Sequence, residues 1–240
     1  MIERTEHQVI VPNLPESLRG LKVVQLTDLH RSHLTSDILI RHAVAMANAE
    51  KPDLILLTGD YVTQDPADII PCGHLIAPLR ARLGVFAVLG NHDYTADAPS
   101  VVRMLKHSGI TVLMNESVEA VEGLWLAGLE DDRHGRPNPG SAFAEIPANK
   151  AVIAMIHNPA FSEKIAELAC VVLSGHTHGG QVKIPILTTR ELRRIGAKHY
   201  RAGWYTVGNV LLYVNRGIGK VGVPFRFRCR PEIAVFNLTP

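Results

Sequence analysis

The chain has 240 residues, of which 46% are hydrophobic and 20% are charged, so it can bury a sizeable core and is not a disordered chain. Its 19 glycines and 15 prolines exclude a collagen-like or low-complexity protein, and three widely spaced cysteines without a CxxC pair indicate neither a zinc ribbon nor a disulfide framework. No run approaches the roughly 18 apolar residues of a membrane-spanning helix, and the polar start lacks the apolar segment of a secretory signal, so we expect one cytoplasmic domain covering residues 1–240.

Short runs rich in Val, Ile and Leu alternate along the chain with segments of helical periodicity. The apolar runs predict strands buried on both faces, at Leu21–Leu26, Asp53–Thr58, Val85–Leu89, Ala151–Ile156 and Val171–Leu173. The helical spacing predicts helices at Ser36–Glu50, Pro99–His107 and Pro159–Leu168. This alternation of strands and helices predicts an α/β layered fold.

The carboxyl-terminal part of the chain has a different pattern. Apolar runs separated by Gly and Asn predict strands at Tyr205–Val207, Leu211–Val214 and Ile233–Leu238. We therefore expect an all-β ending packed against the earlier layer. The stretch Asp131–Pro139 is rich in charged residues, Gly and Pro, and it predicts a surface loop.

Each of the five apolar runs leads into side chains that can bind a metal or transfer a proton. These motifs are Thr27-Asp28-Leu29-His30, Gly59-Asp60, Gly90-Asn91-His92-Asp93, His157, and Gly175-His176-Thr177-His178. Because the carboxyl ends of the strands in an open α/β sheet form the ligand crevice, we expect the motifs to converge. An isolated Asp-x-His or Gly-Asp is common by chance, whereas five such motifs in strand-end positions are not.

The candidate ligands combine carboxylate, amide and imidazole groups and include no thiolate. They are Asp28, His30, Asp60, Asn91, His157, His176 and His178. This set suits Mn²⁺, Fe or Zn²⁺ in a catalytic site rather than a closed structural zinc site. Seven ligands exceed what one metal with an open position needs. They favour two metals that share a carboxylate, an arrangement that serves phosphoryl chemistry.

The five motifs, which lie between Leu21 and Gln181, resemble the motif series of the calcineurin-like metallophosphoesterases. The extended forms of the first and last motifs, and the ending Asn215-Arg216-Gly217-Ile218-Gly219 through Cys229-Arg230-Pro231-Glu232-Ile233, resemble a bacterial subgroup of YkuE-like and YaeI-like phosphodiesterases. A UDP-2,3-diacylglucosamine pyrophosphatase of lipid A synthesis belongs to this subgroup. The resemblance implies a four-layer αββα sandwich with a dimetal site at one edge of its sheets.

The resemblance also implies a role for each candidate residue. Asp28, His30 and His178 would hold the first metal, and Asn91, His157 and His176 would hold the second. Asp60 would bridge the two metals, and a hydroxide between them would attack phosphorus. His92 would contact the phosphate and stabilise or protonate the leaving oxygen, while Asp93 would orient His92. Mn²⁺ is the metal we expect to support activity in vitro.

The net charge of +2 conceals a strongly basic segment. From Lys183 to Arg230 the chain has eleven Lys and Arg residues and one acid, Glu191, so the segment carries +10 and the rest −8. This asymmetry favours an anionic partner, such as a phosphorylated substrate or a peripheral contact with an anionic membrane, and a solvated basic face is the alternative. Nucleic acid is not expected, because aromatic residues are only 5% and give little support to a stacking platform.

Individual arginines of this segment are candidates for phosphate binding. Arg216 lies between predicted strands, and its planar guanidinium can bind phosphate bidentately, although it can equally cap a turn. Arg226, Arg228 and Arg230 alternate along the sequence and predict a basic stripe on one side of a strand, or an edge protected by charge.

Three functions are consistent with the sequence. The first is a phosphodiesterase or pyrophosphatase that acts on a lipid-linked or nucleotide-linked substrate such as UDP-2,3-diacylglucosamine. The second is a phosphomonoesterase that acts on phosphoproteins or small phosphate esters. The third is a non-catalytic interaction module with the same fold. Loss of ligands would favour this third function, and no ligand of the motif series is missing.

Overall fold

The computed structural model describes residues 1–183, 192–193, 196–197 and 199–240. Its strands are β1 (Glu3–Ile10), β2 (Lys22–Leu26), β3 (Leu54–Thr58), β4 (Gly84–Val88), β5 (Thr111–Val112), β6 (Glu116–Val121), β7 (Leu124–Gly128), β8 (Ala151–Met155), β9 (Val171–Ser174), β10 (Gly203–Val207), β11 (Val210–Val214) and β12 (Glu232–Thr239). Its helices are α1 (Asp37–Ala49), α2 (Ile69–Ile76), α3 (Asn91–His107) and α4 (Pro139–Phe143). Among these residues no helix is both long enough and apolar enough to cross a bilayer.

Within the described parts of the chain, the strands form two six-stranded sheets. The first has the order β1-β12-β2-β3-β4-β5, and the second has the order β10-β11-β9-β8-β7-β6. In the first sheet β2, β3 and β4 are parallel neighbours, and in the second β8 and β9 are parallel neighbours. The five strands predicted to carry the motifs therefore form two parallel groups, and the members of each group end at the same edge.

The alternation of side chains along each strand builds the layers. In β3, Ile55 and Leu57 face the helices, whereas Leu54 and Leu56 face the space between the two sheets. All five residues of β3 are buried, as predicted for a strand covered on both faces. The helices α1, α2 and α3 cover the outer face of the first sheet, and they pack against each other.

The outer face of the second sheet has a thinner cover. Ala142 of α4 and Phe161 of the 3₁₀ helix Pro159–Lys164 pack on Ala154, Val172 and other residues of this face. The order of layers is thus helices, sheet, sheet and short helices, which confirms the predicted αββα sandwich. The helix predicted over Pro159–Leu168 is reduced to the six-residue 3₁₀ helix.

Helix α3 begins earlier than its sequence indicates. The prediction starts at Pro99, whereas the structure starts the helix at Asn91 and breaks it at Asp97, whose backbone is not helical (φ 179°, ψ 90°). Pro99 explains the break, because proline cannot continue the hydrogen bonds of the preceding turn. The first turn of α3 therefore carries the Asn91-His92-Asp93 motif directly after β4.

The three strands predicted for the ending are present as β10, β11 and β12. They do not pack as one unit against an earlier layer, because they are divided between the two sheets. β10 and β11 extend the second sheet, whereas β12 lies between β1 and β2 in the first sheet. β12 is apolar on both faces and fits the interior of a sheet, since Ile233 and Val235 face the helices while Ala234 and Phe236 face the second sheet. The half-exposed β1, which the sequence analysis does not predict, lies at the edge.

The structure also corrects the predictions for the arginine-rich segment and for the loop after β7. The region of Arg226, Arg228 and Arg230 is irregular and forms one isolated bridge at Phe227, so the predicted one-sided strand is wrong. The stretch Asp131–Pro139 is a loop up to Asn138, as expected, but Pro139 begins α4 and the side chain of Asp131 is buried.

Candidate metal centre

The candidate ligands lie on the loops that follow β2, β3, β4, β8 and β9, and the fold brings them together. Three overlapping groups have ligand atoms within 4.8 Å of one another. These groups are Asp28, His30 and His178; His30, Asp60 and His92; and Asp60, His157 and His176. Residues separated by up to 150 positions thus form one continuous cluster, and nearly all of them are buried.

Asp60 lies between the two halves of this cluster. Its Oδ2 is 3.3 Å from Nε2 of His30 and 3.1 Å from Nε2 of His157. On one side, Nε2 of His178 lies 3.0 Å from Nε2 of His30 and 3.3 Å from Oδ1 of Asp28. On the other side, Nδ1 of His176 lies 3.1 Å from Nε2 of His157. The carboxylate of Asp60 therefore has the position that a ligand shared by two cations needs.

Asn91 is the first residue of α3, and its amide oxygen supports this interpretation. Oδ1 of Asn91 is buried and has no hydrogen-bond partner among the described residues. A buried acceptor without a donor costs about 1–3 kcal/mol, so such an atom requires an explanation. A divalent cation would supply the missing partner. Together with the oxygen and imidazole ligands, this orphaned atom fits the predicted dimetal site.

The backbone at the ligands is strained in a consistent way. Among residues other than glycine, five candidate ligands have left-handed backbones with φ between 45° and 69°: Asp28, His30, Asp60, His176 and His178. This conformation costs roughly 1–2 kcal/mol per residue because Cβ approaches the carbonyl oxygen. Strain of this kind persists where the surrounding structure holds a functional side chain in place. Here it turns the chain sharply after β2, β3 and β9 and directs the side chains toward one another.

Further hydrogen bonds orient the ligands. Nδ1 of His157 lies 2.8 Å from the carbonyl oxygen of Thr58, which leaves Nε2 directed at Asp60. Asp28 accepts a hydrogen bond from the hydroxyl of Thr27 at 2.8 Å and from the backbone N–H of His176 at 3.0 Å. Supporting contacts of this kind fix the ring orientation and the protonation state of metal ligands.

The charges of the cluster stabilise one another. Burial opposes ionisation of Asp60, but the imidazoles of His157 and His30 outweigh it and hold the pKa of this carboxyl well below its usual range. Burial likewise opposes protonation of His157, but Asp60 and Asp28 raise the pKa of this imidazole well above its ordinary value. The carboxylate of Asp60 is thus kept as an anion, which is the form that binds a cation.

Two glycines allow the loops to approach this closely. A Cβ on Gly90 would lie 2.7 Å from the backbone nitrogen of Asp60 and 2.8 Å from its Cγ, and a Cβ on Gly175 would overlap the carboxylate of Asp28. Neither position has room for a methyl group. Gly90 and Gly175 are therefore explained by the lack of space for a side chain rather than by a need for positive φ.

His92 lies at the less buried side of the cluster. Its backbone N–H donates to Oδ1 of Asp60 at 2.9 Å, and its Nδ1 lies 2.7 Å from the carbonyl oxygen of Thr63. A carbonyl can only accept, so Nδ1 carries the proton and Nε2 is left for another partner. Burial lowers the pKa of this imidazole, which therefore favours the neutral form.

The predicted role of Asp93 in orienting His92 is wrong. The carboxylate of Asp93 accepts hydrogen bonds from the backbone N–H groups of Asp60 at 2.8 Å, Gly90 at 2.9 Å and Tyr61 at 2.9 Å. Asp93 is in the first turn of α3, where free backbone N–H groups attract a carboxylate. It therefore ties the loop after β3 to the start of α3, while Thr63 orients the ring of His92. Burial, with the charge of Asp60, raises the pKa of Asp93 to about 7.

Arg216 is held by carboxylates rather than left open for a phosphate. Its Nε donates to Glu232 at 2.8 Å and its Nη1 donates to Glu3 at 3.0 Å. Glu232 also accepts a hydrogen bond from the hydroxyl of Tyr213 at 2.6 Å. These contacts join the end of β11 to the starts of β1 and β12. The predicted phosphate contact of Arg216 has no support from the contacts of the described residues.

Arg226 contacts the cluster, although the sequence analysis assigned it to a surface stripe. Its Nε and Nη2 donate to the carbonyl of Gly219 at 2.9 and 2.6 Å, and its Nη1 donates to the carbonyl of His178 at 3.3 Å. Nη2 also lies 3.2 Å from Nδ1 of His178. The two residues are 48 positions apart, and their sequence spacing carries no signal that predicts this contact.

Comparison with known proteins identifies the family. Residues 21–180 match the family described as calcineurin-like phosphoesterase. The chain is 32% identical to the metallophosphoesterase YkuE of Bacillus subtilis over 99% of this chain and 86% of the relative, and 33% identical to phosphodiesterase YaeI of Escherichia coli over 90% and 82%. The chain belongs to the calcineurin-like metallophosphoesterase family. The predicted resemblance is confirmed, and this metallophosphoesterase is a phosphoric ester hydrolase rather than a non-catalytic module.

One further relative and one solved structure are also similar to this chain. The metallophosphoesterase chain is 27% identical to the UDP-2,3-diacylglucosamine pyrophosphatase LpxG of Chlamydia trachomatis, over 94% of this chain and 86% of LpxG. It also resembles the crystal structure of TT1561 of Thermus thermophilus, with a TM-score of 0.55, 12% identity, and coverage of 84% of this chain and 90% of that chain. The latter similarity concerns the fold alone.

Proposed function

We propose that this metallophosphoesterase hydrolyses phosphodiester or pyrophosphate bonds at the cluster around Asp60. The observation that carries the proposal is the position of the Asp60 carboxylate, within 3.3 Å of imidazole nitrogens on both sides. Two divalent cations would supply an activated water and would neutralise charge on the phosphate. Mn²⁺ is the proposed metal in vitro, and Fe and Zn²⁺ are compatible with the same ligands.

The residues divide into two ligand sets in this proposal. Asp28, His30 and His178 would hold one cation, Asn91, His157 and His176 would hold the other, and Asp60 would contact both. The groups of ligand atoms that lie within 4.8 Å of one another support this division, as does the orphaned amide oxygen of Asn91.

His92 is the proposed contact to the phosphate and to the leaving oxygen. Thr63 holds its Nδ1, so the ring can present only Nε2 to a substrate. The ring is less buried than the ligand imidazoles and lies in one group with His30 and Asp60. At this position Nε2 of the neutral ring can accept a hydrogen bond from a group bound beside the cluster, and it can donate a proton once the ring is protonated.

The proposed substrate is lipid-linked or nucleotide-linked, such as UDP-2,3-diacylglucosamine. The names of YaeI, a phosphodiesterase, and LpxG, a UDP-2,3-diacylglucosamine pyrophosphatase, support this class. We also propose peripheral contact with an anionic membrane surface. The charge of the segment from Lys183 to Arg230, with eleven basic residues and one acid, supports that contact.

The experiment compares Asp60→Ala with Asp65→Ala, an exposed carboxylate of the same loop. Each protein is reconstituted with Mn²⁺, its metal content is determined by elemental analysis, and hydrolysis of bis-p-nitrophenyl phosphate and p-nitrophenyl phosphate is measured. We expect two equivalents of Mn²⁺ in the wild type and in Asp65→Ala, fewer in Asp60→Ala, and faster cleavage of the diester. Two equivalents in Asp60→Ala would refute the shared ligand, and preference for the monoester would favour a phosphomonoesterase.

A further inference from the structure

Exposed apolar side chains are concentrated on one loop next to the metal centre. Val223, Phe225 and Phe227 are 39%, 54% and 46% exposed. The other exposed large apolar residues of the described chain are dispersed over other elements and the amino terminus. Two phenylalanines and a valine within five positions form an apolar patch, and such patches in water usually mark a contact surface. We call residues 220–230 the aromatic loop.

Hydrogen bonds from Gln181 and Lys183 hold the backbone of the aromatic loop in place. Gln181 donates through Nε2 to the carbonyls of Val221 and Val223, both at 3.0 Å, and its Oε1 accepts from the N–H of Val221 at 3.0 Å. The backbone of Phe227 also pairs with that of Gln181 and Lys183. These hydrogen bonds fix the loop in a defined shape. The apolar side chains are therefore held outward by the structure and are not exposed merely because the loop lacks contacts.

Cationic side chains surround the apolar ones. Arg228 and Arg230 are exposed, and the guanidinium of Arg228 lies 5.3 Å from the ring centre of Phe227. The loop itself has no acidic residue. Proteins that bind the surface of an anionic bilayer commonly place aromatic rings at the level of the head groups. Flanking Lys and Arg side chains bind the lipid phosphates.

The loop also lies at the rim of the metal centre. Arg226, between the two phenylalanines, points the other way and donates to the carbonyl of the ligand His178 at 3.3 Å. If the aromatic loop bound a bilayer, the cluster around Asp60 would lie beside the lipid head groups. We infer that the aromatic loop docks on an anionic lipid bilayer through Phe225 and Phe227, with Arg228 and Arg230 meeting the phosphates. This inference rests on the proposed function, because it assigns the proposed membrane contact to a particular surface.

The test is co-sedimentation of the Mn²⁺-loaded protein with vesicles of phosphatidylcholine, with and without phosphatidylglycerol, at low and high salt. The apolar variant is the double change Phe225→Ser and Phe227→Ser, and its control is Ile70→Ser, which removes a 67% exposed side chain from α2. The charge variant is Arg228→Gln with Arg230→Gln, and its control is Arg103→Gln on α3. Thermal unfolding checks that each variant is folded, and Phe225→Ser alone replaces the double variant if that one unfolds early.

We expect salt-sensitive binding to the anionic vesicles, weakened at least about tenfold by the apolar and the charge variants and unchanged in the controls. No binding, equal binding to neutral vesicles, or equal binding of the apolar variant would overturn the inference. A dimer of the wild type that the apolar variant breaks would also overturn it, because a second copy would then be the occupant. Hydrolysis of bis-p-nitrophenyl phosphate without vesicles is measured separately, so failure of the docking surface is distinguished from failure of the proposed function.

Discussion

Replacement of Gly90 by alanine tests how far the position of Asp60 determines function. Gly90 joins β4 to α3 with φ −103° and ψ 172°, a conformation that alanine adopts without strain. The only penalty is therefore steric. The new methyl group would lie 2.7 Å from the backbone nitrogen of Asp60 and 2.8 Å from its Cγ, and nearer still to Oδ1, whereas ordinary contacts begin at 3.4 Å.

Asp60 cannot move aside without losing other contacts. Its backbone N–H donates to Asp93 at 2.8 Å, and its Oδ1 accepts from the N–H of His92 at 2.9 Å. Relief of the overlap requires a displacement of about 0.7 Å for the backbone nitrogen, the difference between the contact distance and 2.7 Å. Overpacking of this kind costs about 1–3 kcal/mol of stability. A shift of this size in a catalytic group lowers turnover by roughly 10²-fold.

The assay measures Mn²⁺ content after reconstitution and dialysis, the kcat for bis-p-nitrophenyl phosphate, and the free energy of unfolding in urea. Gly140→Ala is the matched control, because the nearest atom to its new methyl group would be Asn138 Oδ1 at 3.3 Å and the site lies in α4, outside the cluster. We expect loss of Mn²⁺ and of turnover in Gly90→Ala alone. Two equivalents of Mn²⁺ and a kcat within about a factor of two of the wild type would refute the reasoning.

Four further changes give distinct outcomes. His92→Ala is expected to retain the metals and to lower kcat by about 10²–10⁴-fold, whereas loss of metal in elemental analysis would make His92 a ligand. Asp93→Asn is expected to lower the free energy of unfolding in urea by about 1–3 kcal/mol, because both carboxyl oxygens accept from backbone N–H groups and one of them becomes an NH2 donor, and unchanged stability would contradict the assigned contacts. Arg226→Met removes the hydrogen bond that holds the backbone carbonyl of His178, so it is expected to weaken Mn²⁺ binding about 10–100-fold in a titration while Arg228→Met does not, and equal affinities would remove the role of Arg226 beside His178. Glu232→Gln is expected to cost about 2 kcal/mol at neutral pH. Burial opposes ionisation of Glu232, but Arg216 and Tyr213 outweigh it and lower its pKa, so its stabilising effect is present above the ordinary value of 4.5 and is lost as the pH falls further. The difference between wild type and Glu232→Gln should therefore shrink on acidification, and a constant difference would contradict the ion pair.

The strands that the sequence predicts near the motifs are among the most buried, although β7, which is also largely buried, is not predicted. β2, β3, β4, β8 and β9 are short apolar runs covered on both faces, and composition alone indicates such strands. β1 and β6 have one face in partial contact with solvent and a mixed composition, and they were not predicted. The position of β12 between β1 and β2 was also not predictable, because strand order depends on pairing between distant segments.

The convergence of the motif residues was predictable for a physical reason. Parallel strands end at one edge of a sheet, so Asp28, Asp60 and Asn91, each directly after a strand, must approach one another wherever those strands are neighbours. The strand-end pattern alone therefore predicted the set of groups that meet there. The resemblance of the motifs to the calcineurin-like metallophosphoesterases implied the αββα class.

The tertiary structure decided the functions of the remaining polar groups. The early start of α3 directs Asp93 to backbone N–H groups, the edge strand β1 brings Glu3 to Arg216, and an irregular loop brings Arg226 to His178 while it exposes Phe225. Each of these contacts and exposures depends on which distant segment supplies a hydrogen-bond donor, an acceptor or a packing surface. Local sequence patterns encode the period and polarity of a segment, whereas its long-range partners are determined only when the two sheets pack together.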